Sequence, residues 1–209
     1  MTWIDGVVDL LVALCGTGTR YRPLRRNGDA APDHRPPVKA ADTVAALLAD
    51  GWALVAPLAA DLVVLDLDHC AEPGLLAALD RAAADHGAHL AYRAASGSDL
   101  SEHRAYAVPG PRRAGFRAAV ADLRTRYGAD GVVEHVGANG VRYRRDLDDR
   151  TADHGGRRAR AGRGLRLPGS PSLKRDKGAV VWPLDADGLP VLSLHDAARM
   201  VRTRALPPD

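Results

Sequence analysis

The feature that most constrains the fold is the segment 61–68, which consists of Asp-Leu-Val-Val-Leu-Asp-Leu-Asp. A short apolar run with β-branched residues between polar ends is typical of a buried strand. Side chains alternate between the two faces of a strand, so Asp66 and Asp68 share one face and lie about 7 Å apart. Leu65 and Leu67 point to the opposite face. The segment therefore predicts a buried strand with two carboxylates at one end of one face.

Strands and helices alternate along the rest of the chain. Apolar residues at helical spacing predict five helices, at 3–15, 40–50, 72–86, 111–127 and 194–204. Further strands are predicted at 54–57, 88–94 and 103–108, with a hairpin at 131–145 and two returning segments at 165–170 and 179–182. A polar, Pro-rich loop is expected up to Pro37. This order predicts an α/β (α+β) protein built on a mixed sheet.

Composition excludes several other classes of protein. Hydrophobic residues make up 46% of the 209 residues and charged residues 26%, which allows a packed core and excludes wholesale disorder. No apolar run reaches the roughly 18 residues that a membrane span needs. The two cysteines, Cys15 and Cys70, show neither disulfide nor zinc-ligand spacing. We expect a soluble, cytoplasmic protein that is a monomer and forms one domain.

The paired aspartates predict a cation site. Two ionised carboxylates side by side repel each other, and a divalent cation removes that cost. Hard oxygen ligands of this kind suit Mg²⁺ or Mn²⁺. The alternative is structural, since short acidic strand ends are common and Asp68 is placed to cap the following helix. The spacing alone leaves both interpretations open.

Two further patterns suit the binding of phosphate groups. A loop of small residues, 95–101, leads into a strand that begins Ser101-Glu102-His103, where hydroxyls, backbone N–H groups and an imidazole converge. Later, Arg166 lies between two leucines on a predicted strand, and Ser170 and Lys174 follow in a turn. A guanidinium and an ammonium beside hydroxyls are groups that bind a triphosphate. Taken singly, each pattern is equally compatible with an ordinary strand or turn.

The order of these patterns resembles that of the archaeo-eukaryotic primase superfamily, and most of all its bacterial and phage primase–polymerase (prim-pol) domains. The resemblance covers about residues 50–183. It implies a catalytic core with a sheet like that of the RNA-recognition motif, beside a small N-terminal α/β unit. On this basis we divide the single prim-pol domain into an N-terminal part, a catalytic core and a C-terminal helix, at 1–60, 61–183 and 184–209.

The resemblance also implies roles for individual residues. Asp66 and Asp68 match the paired ligands of a two-metal site for Mg²⁺ or Mn²⁺. His103 and Ser101 match residues that contact the phosphates of the incoming nucleoside triphosphate. The residues that match the triphosphate-binding group are Arg166, Ser170 and Lys174.

The family needs a third carboxylate, and the sequence offers three candidates for it. We favour Glu134, because the helix that ends near Tyr127 leads directly into its strand. Asp148 and Asp149 compete with it, because they lie nearer to the Pro-Gly-Ser segment at 168–170. With Glu134 as the ligand, residues 138–163 form an enlarged, basic hairpin turn.

The predicted insertion indicates contact with nucleic acid. Residues 142–175 carry ten Arg and one Lys against four Asp, a net charge of +7, while the whole chain carries +3. A basic, Gly-rich segment beside the site is what contact with a phosphate backbone requires, and a tyrosine among the arginines can stack on a base. The alternative is a solvated loop in an arginine-rich sequence. The predicted DNA-binding residues are Arg142, Tyr143, Arg144, Arg157, Arg158, Arg160 and Arg163.

These expectations define one main function and two alternatives. The main one is a DNA primase and/or polymerase that joins nucleoside triphosphates on a single-stranded DNA template. No G-x-x-x-x-G-K-[ST] motif occurs in the chain, so a separate helicase would unwind the duplex. The first alternative is a degenerate prim-pol fold that binds nucleic acid or nucleotide without synthesis. The second, a metal-dependent nuclease or phosphatase, leaves His103 and Arg166 without a joint role.

Overall fold

The computed structural model describes residues 3–15, 22–25, 33–34, 41–56, 62–96, 99–137, 140–151, 165–171, 181–185 and 187–204. Its helices are α1 (Trp3–Cys15), α2 (Ala41–Ala49), α3 (Pro73–Asp85), α4 (Arg113–Arg126) and α5 (Leu194–Arg204). The first five strands are β1 (Arg22–Arg25), β2 (Asp33–His34), β3 (Ala53–Ala56), β4 (Leu62–Asp68) and β5 (His89–Ala95). The others are β6 (Glu102–Ala107), β7 (Asp130–Val136), β8 (Arg142–Asp149), β9 (Leu165–Arg166) and β10 (Trp182–Pro183). The predicted α/β (α+β) class is confirmed.

The strands form two sheets. The larger has the order β10-β5-β6-β4-β8-β7 and the smaller the order β2-β1-β3-β9. All neighbouring strands are antiparallel, where a mixed sheet was expected. The reason is that β6 lies between β4 and β5, so the two strands joined by α3 are not hydrogen-bonded to each other. The strand with the paired aspartates, β4, is central, with β6 and β8 on its two sides.

Helices α3 and α4 cover one face of the large sheet. Proline at its first position favours the start of α3, and the Phe116, Val120 and Leu123 side chains of α4 are buried, as their spacing predicts. They pack with Leu65 and Leu67 of β4 in one hydrophobic core. This packing fixes the alternation of β4, so that its aspartates are turned to the other face.

A buried polar network lies within the α3 side of the large sheet. Arg104 on β6 is 2% exposed, and its guanidinium lies 2.8 Å from Oε1 of Glu102 and 2.8 Å from Oδ1 of Asp80. It also donates to the hydroxyl of Tyr106, 2.9 Å away. Arg93 of β5 binds both carboxylate oxygens of Glu102 at 2.8 Å. Each buried charge therefore has a partner, as burial of charge requires.

The second core joins both sheets to the remaining helices. Apolar residues of α1, α2 and α5 pack with Val64, Ala94 and Ala105, which lie on the face of the large sheet opposite α3 and α4. Strand β9 pairs with β3 and so belongs to the small sheet, although it lies more than 100 residues later in the chain. The C-terminal helix α5 packs against α1. None of the described helices has both the length and the apolar character needed to cross a membrane.

Two parts of the predicted secondary structure differ from the structure. Strand β2 lies within the Pro-rich loop that was expected, and strand β1 lies largely where no element was predicted. Arg-Pro-Leu-Arg shows no apolar alternation, and β1 pairs with β3. The hairpin at 131–145 is present, but β8 continues to Asp149. Residues 142–149 thus belong to the sheet, and the predicted insertion at 138–163 is wrong over this part. Residues 152–164 lie outside the described residues.

Candidate functional site

The candidate site is centred on Asp66. The register of the large sheet places His103 of β6 opposite Asp66 on one side and Asp148 of β8 opposite it on the other. Side chains directly opposite each other on neighbouring strands are close enough to interact. Nε2 of His103 lies 3.4 Å from Oδ1 of Asp66, and both side chains are largely buried, 3% and 16% exposed. The sheet thus unites residues that lie up to 82 positions apart.

An arginine that the sequence analysis did not single out lies between the two carboxylates. Nη2 of Arg150 is 3.4 Å from Oδ2 of Asp66, and its Nε is 3.0 Å from Oδ2 of Asp148. Its backbone continues β8 alongside β4, where its N–H donates to the carbonyl of Val64 over 2.7 Å. The signal in the sequence was its position directly after Asp148-Asp149, but the contact depends on the pairing of β8 with β4.

The small sheet contributes Arg166 to the site. Its Nη2 donates to the carbonyl of Ser96 at 3.0 Å and its Nη1 to the carbonyl of Pro171 at 3.4 Å. Burial lowers the pKa of Arg166 below its ordinary value. The negative charges of Asp66 and Asp68 offset only part of that effect. The charge of Arg166 therefore acts at the paired aspartates, and its role in binding a triphosphate stays a prediction.

These charges determine the ionisation of Asp66. Burial alone would raise the pKa of Asp66, but a hydrogen bond from His103 and the charges of His103, Arg150 and Arg166 lower it below its ordinary value. Asp66 is therefore ionised at neutral pH. The site thus contains three carboxylates, Asp66, Asp68 and Asp148, against two guanidinium groups and the imidazole of His103.

Asp148, and not Glu134, lies beside the paired aspartates. Glu134 is on the edge strand β7 opposite Arg144, and its carboxylate is 47% exposed, 3.4 Å from Nη1 of Arg142. The four residues from Arg144 to Asp148 span about 14 Å of strand. The choice of Glu134 is corrected on this geometry, because the hairpin places its second strand, rather than its first, next to β4.

The other aspartates of β8 bind helix α4. The carboxylate of Asp149 accepts from Nε of Arg117, and that of Asp146 accepts from Nη2 of Arg124 over 2.8 Å. Asp146 is in register with Asp68, but its carboxylate is held by the helix. Both residues therefore anchor α4, and Asp148 is the one of the three aspartates that contacts Arg150.

Two serines predicted to contact nucleotide have hydroxyls engaged within the fold. Ser101 Oγ accepts from the N–H of His69 at 2.9 Å and donates to the carbonyl of Asp99 at 3.1 Å. Ser170 Oγ accepts from the N–H of Leu54 at 2.9 Å and donates to its carbonyl at 3.2 Å. Both serines are buried. Their hydroxyls therefore have structural roles in the loops around the site, and their contact with a nucleotide stays a prediction.

Three buried polar atoms near the site lack a hydrogen-bond partner among the described residues. They are Nδ1 of His103, Oγ of Ser96 and Nε of Arg150, whose 3.0 Å approach to Asp148 is an ion pair without hydrogen-bond geometry. His103 and Ser96 are each 2% exposed. Ser96 follows two positions after Ala94, which is in register with His103. The sequence analysis included Ser96 only as part of a small-residue loop. Buried polar atoms of this kind are normally paired, so a bound oxygen or nitrogen group would satisfy them.

The predicted DNA-binding residues are divided by the structure. The Arg142 side chain is 75% exposed, and Arg144 is exposed as well. The ring of Tyr143 stacks on that of His69, with centroids 4.1 Å apart and an angle of 17° between planes. One face of Tyr143 is thus covered by the protein. The remaining predicted DNA-binding residues lie outside the described residues, as does Lys174. They are Arg157, Arg158, Arg160 and Arg163.

The donor chemistry of the site suits a divalent cation, although its side chains are held apart. In the part of the chain that the structure describes, no three His, Cys, Asp or Glu side chains are grouped so that they could hold a metal ion. Asp66 and Asp148 are both ion-paired with Arg150, a cationic group that occupies the position between them. Two ionised carboxylates attracting one cation are the donor set that Mg²⁺ and Mn²⁺ prefer.

The fold and the site define an α+β protein with a cluster of carboxylates, arginines and one histidine on the central strand of an antiparallel sheet. The chain matches no protein-family model, no curated protein and no solved structure.

Proposed function

We propose that the chain is a metal-dependent nucleotidyltransferase, a DNA primase and/or polymerase that joins nucleoside triphosphates on a single-stranded DNA template. The observation that carries the proposal is the register of β4, in which Asp66 has His103 on one side and Asp148 on the other. This register makes neighbours of three groups that the prim-pol resemblance requires: a paired aspartate, a histidine and a later carboxylate.

The connectivity of the large sheet supports the same proposal. Between residues 62 and 149 the chain runs β4-α3-β5-β6-α4-β7-β8, with β4 central between β6 and β8. With β7 set aside as an extra edge strand, this is a β-α-β-β-α-β arrangement. It is the arrangement that a sheet like that of the RNA-recognition motif implies. This agreement in topology supports the proposal independently of the site residues.

The residues of the site have distinct tasks in this proposal. Asp66 and Asp148 would supply carboxylate oxygens to Mg²⁺ or Mn²⁺, with Asp68 on the same face of β4. The bound cation would promote attack by a 3′-hydroxyl and stabilise charge on the phosphates. His103 orients a carboxylate oxygen of Asp66. Arg166, anchored by two carbonyls, presents a fixed positive charge to the triphosphate. No nucleophile of the protein is required.

The hairpin of β7 and β8 is the proposed contact for the template. Its exposed Arg142 and Arg144 lie on the strand that carries Asp148, about 14 Å or more from that residue, so a DNA backbone bound there would lie along the strand that leads to the site. In this proposal the protein acts in the cytoplasm as a monomer, with a separate helicase supplying single-stranded DNA.

One observation favours a second candidate, the degenerate prim-pol fold that binds without synthesis. Arg150 occupies the position between Asp66 and Asp148 where the primary proposal requires a cation. A permanent guanidinium there would leave a module that binds nucleotide or nucleic acid but lacks its metal ions. The two candidates differ in whether labelled nucleotide is incorporated into product.

The test is an extension assay with two matched variants. Single-stranded DNA, with and without an annealed primer, is incubated with all nucleotides and Mg²⁺ or Mn²⁺. We expect metal-dependent product from the unaltered protein, a loss of about 100-fold or more in Asp148→Asn, and near-normal product in Glu134→Gln. Both substitutions replace a carboxylate with an isosteric amide, so they differ mainly in position.

The outcomes separate the candidates. Product lost in Asp148→Asn but kept in Glu134→Gln supports the enzyme and the assignment of its third carboxylate. Equal activity in the two variants contradicts that assignment. Absence of product from the unaltered protein, with retained binding of DNA or nucleotide, supports the binding module.

A further inference from the structure

The position of Arg150 has a consequence for how the site takes up a cation. Its guanidinium lies within 3.4 Å of Oδ2 of Asp66 and within 3.0 Å of Oδ2 of Asp148. A divalent cation shared by these carboxylates needs the same oxygens. Two positive groups cannot share them closely without repulsion, so one must leave when the other binds.

We propose that Arg150 is a positioning residue that holds Asp66 and Asp148 in the cation-free protein and gives up both carboxylates to the incoming cation. The inference deepens the proposed function and rests on it. Without a positive group, the two carboxylates on neighbouring strands would repel each other. Arg150, in contact with both carboxylates, offsets that repulsion until the cation arrives.

The anchoring of Arg150 determines which part of it moves. Its N–H donates to the Val64 carbonyl over 2.7 Å, and the next residue, Thr151, accepts from the Val64 N–H through Oγ1 over 3.1 Å. The carbonyl and the N–H of Val64 are thus both bonded to the segment 150–151, which holds the backbone of Arg150 against β4. The side chain is 28% exposed, so it has access to solvent. The exchange therefore needs a rotation of the side chain and no change in the sheet.

The other groups around Asp66 stay in place during the exchange. Arg166 is held by the carbonyls of Ser96 and Pro171, and His103 is buried on β6. With Arg150 withdrawn, the carboxylates of Asp66, Asp68 and Asp148 face one guanidinium, that of Arg166, and the imidazole of His103. The charge that Arg150 supplied is then replaced by that of the cation.

The released guanidinium gains a second task. It remains attached to the strand that carries Asp148, beside the bound cation, where the phosphates of a nucleotide must lie. A planar guanidinium donates two parallel hydrogen bonds to phosphate oxygens. Arg150 therefore opposes binding of the free cation and favours binding of the nucleotide, and these opposite effects distinguish it from a residue with a structural role alone.

The experiment measures Mn²⁺ binding to the full chain by electron paramagnetic resonance of the free ion, without nucleotide or DNA. The variant is Arg150→Gln, and the control is Arg117→Gln, which removes an ion pair from neighbouring Asp149 outside the site. We expect Arg150→Gln to bind Mn²⁺ up to about tenfold more tightly, since two partly exposed ion pairs no longer compete. Arg117→Gln should bind it as the unaltered protein does.

A second variant, Arg150→Lys, keeps the charge but loses the planar fork. We expect it to restore the Mn²⁺ affinity of the unaltered protein, while the KM for nucleotide stays raised in both Arg150 variants. Unfolding curves of each variant monitor the fold. Since Arg150→Lys retains a cation in the same place, it tests the inference even if Arg150→Gln fails to fold.

The outcomes distinguish the inference from the function on which it rests. Mn²⁺ affinity that is unchanged or weakened in Arg150→Gln, with binding lost in Asp148→Asn, overturns the inference and leaves the proposed function standing. Absence of Mn²⁺ binding by the unaltered protein, or binding that Asp148→Asn does not weaken, overturns both. Mn²⁺ binding that tightens in Arg150→Gln and not in Arg117→Gln supports both the inference and the proposed function.

Discussion

The Ser170 hydroxyl gives a prediction that separates a structural role from a role in binding. Strand β9 ends at Arg166, and the Leu54 carbonyl of β3 accepts from the N–H of Leu167 at 2.9 Å. The N–H of Leu54 faces the same side of β3, where no strand residue remains to pair with it. Ser170 Oγ takes that place at 2.9 Å, and it also donates to the Leu54 carbonyl. The hydroxyl thus completes the edge of the small sheet.

The change Ser170→Ala should lower the free energy of unfolding by about 2 kcal/mol. It leaves one buried N–H without a partner, which costs about 1–3 kcal/mol, while the Leu54 carbonyl keeps its bond from Leu167. Ser170 is fully buried, so water cannot substitute without rearrangement. We expect no change in the KM for nucleotide, because the hydroxyl is turned to β3.

Urea unfolding followed by tryptophan fluorescence measures this effect, with Trp52 fully buried as a probe. With a slope of about 2 kcal/mol per molar urea, the midpoint should fall by about 1 M at an unchanged slope. Thr125→Ala, which removes an exposed hydroxyl, is the control and should change the stability by less than about 0.5 kcal/mol. A normal midpoint together with a raised KM would refute the reasoning and return Ser170 to the nucleotide.

Two further predictions concern buried charge. Glu102→Gln leaves the buried guanidinium of Arg104 short of a partner and should lower the free energy of unfolding by about 3–5 kcal/mol, measured by thermal unfolding. Glu134→Gln, at an exposed ion pair, should lower it by less than about 1 kcal/mol. Equal losses would show that the buried network stabilises the fold no more than an exposed pair. The pKa of Asp66 is below its ordinary value of 3.8, so the unfolded chain takes up this proton first as the pH falls. The ionised carboxylate therefore stabilises the fold above about pH 4, and this contribution is lost at lower pH. As the pH is lowered, the unfolding midpoint of Asp66→Asn should fall less steeply than that of the unaltered protein. Parallel curves would contradict this.

Local patterns in the sequence predicted most of the helices and strands. The alternation of β4 and the spacing of Phe116, Val120 and Leu123 in α4 are properties of short segments, and the structure confirms both. The alternation also placed Asp66 on the face opposite Leu65 and Leu67, away from α3 and α4. These features follow from the periodicity of a single element and need no knowledge of the others.

The features that the sequence could not provide depend on pairing between distant elements. Glu134 and Asp148 lie on the two strands of one hairpin, and which strand joins β4 is decided by the sheet as a whole. The same holds for Arg150, whose partners lie on β4 and β8, and for Ser170, whose hydroxyl replaces a strand residue at the edge of β3. In each case the side chain was visible in the sequence, but the neighbour that gives it a role was not.

The packing of α1 against α5 determines when the molecule can finish folding during synthesis. The Asp9 and His195 side chains, 186 positions apart, meet at 3.2 Å, and the buried apolar side of α1 lies against α5. At about 5–20 residues per second, the ribosome needs about 10–40 s to deliver α5 after α1. During that time the apolar side of α1 lacks its final cover, which makes the nascent chain a natural client for chaperones. Helix α1 is thus completed by a helix that is synthesised about 180 residues later.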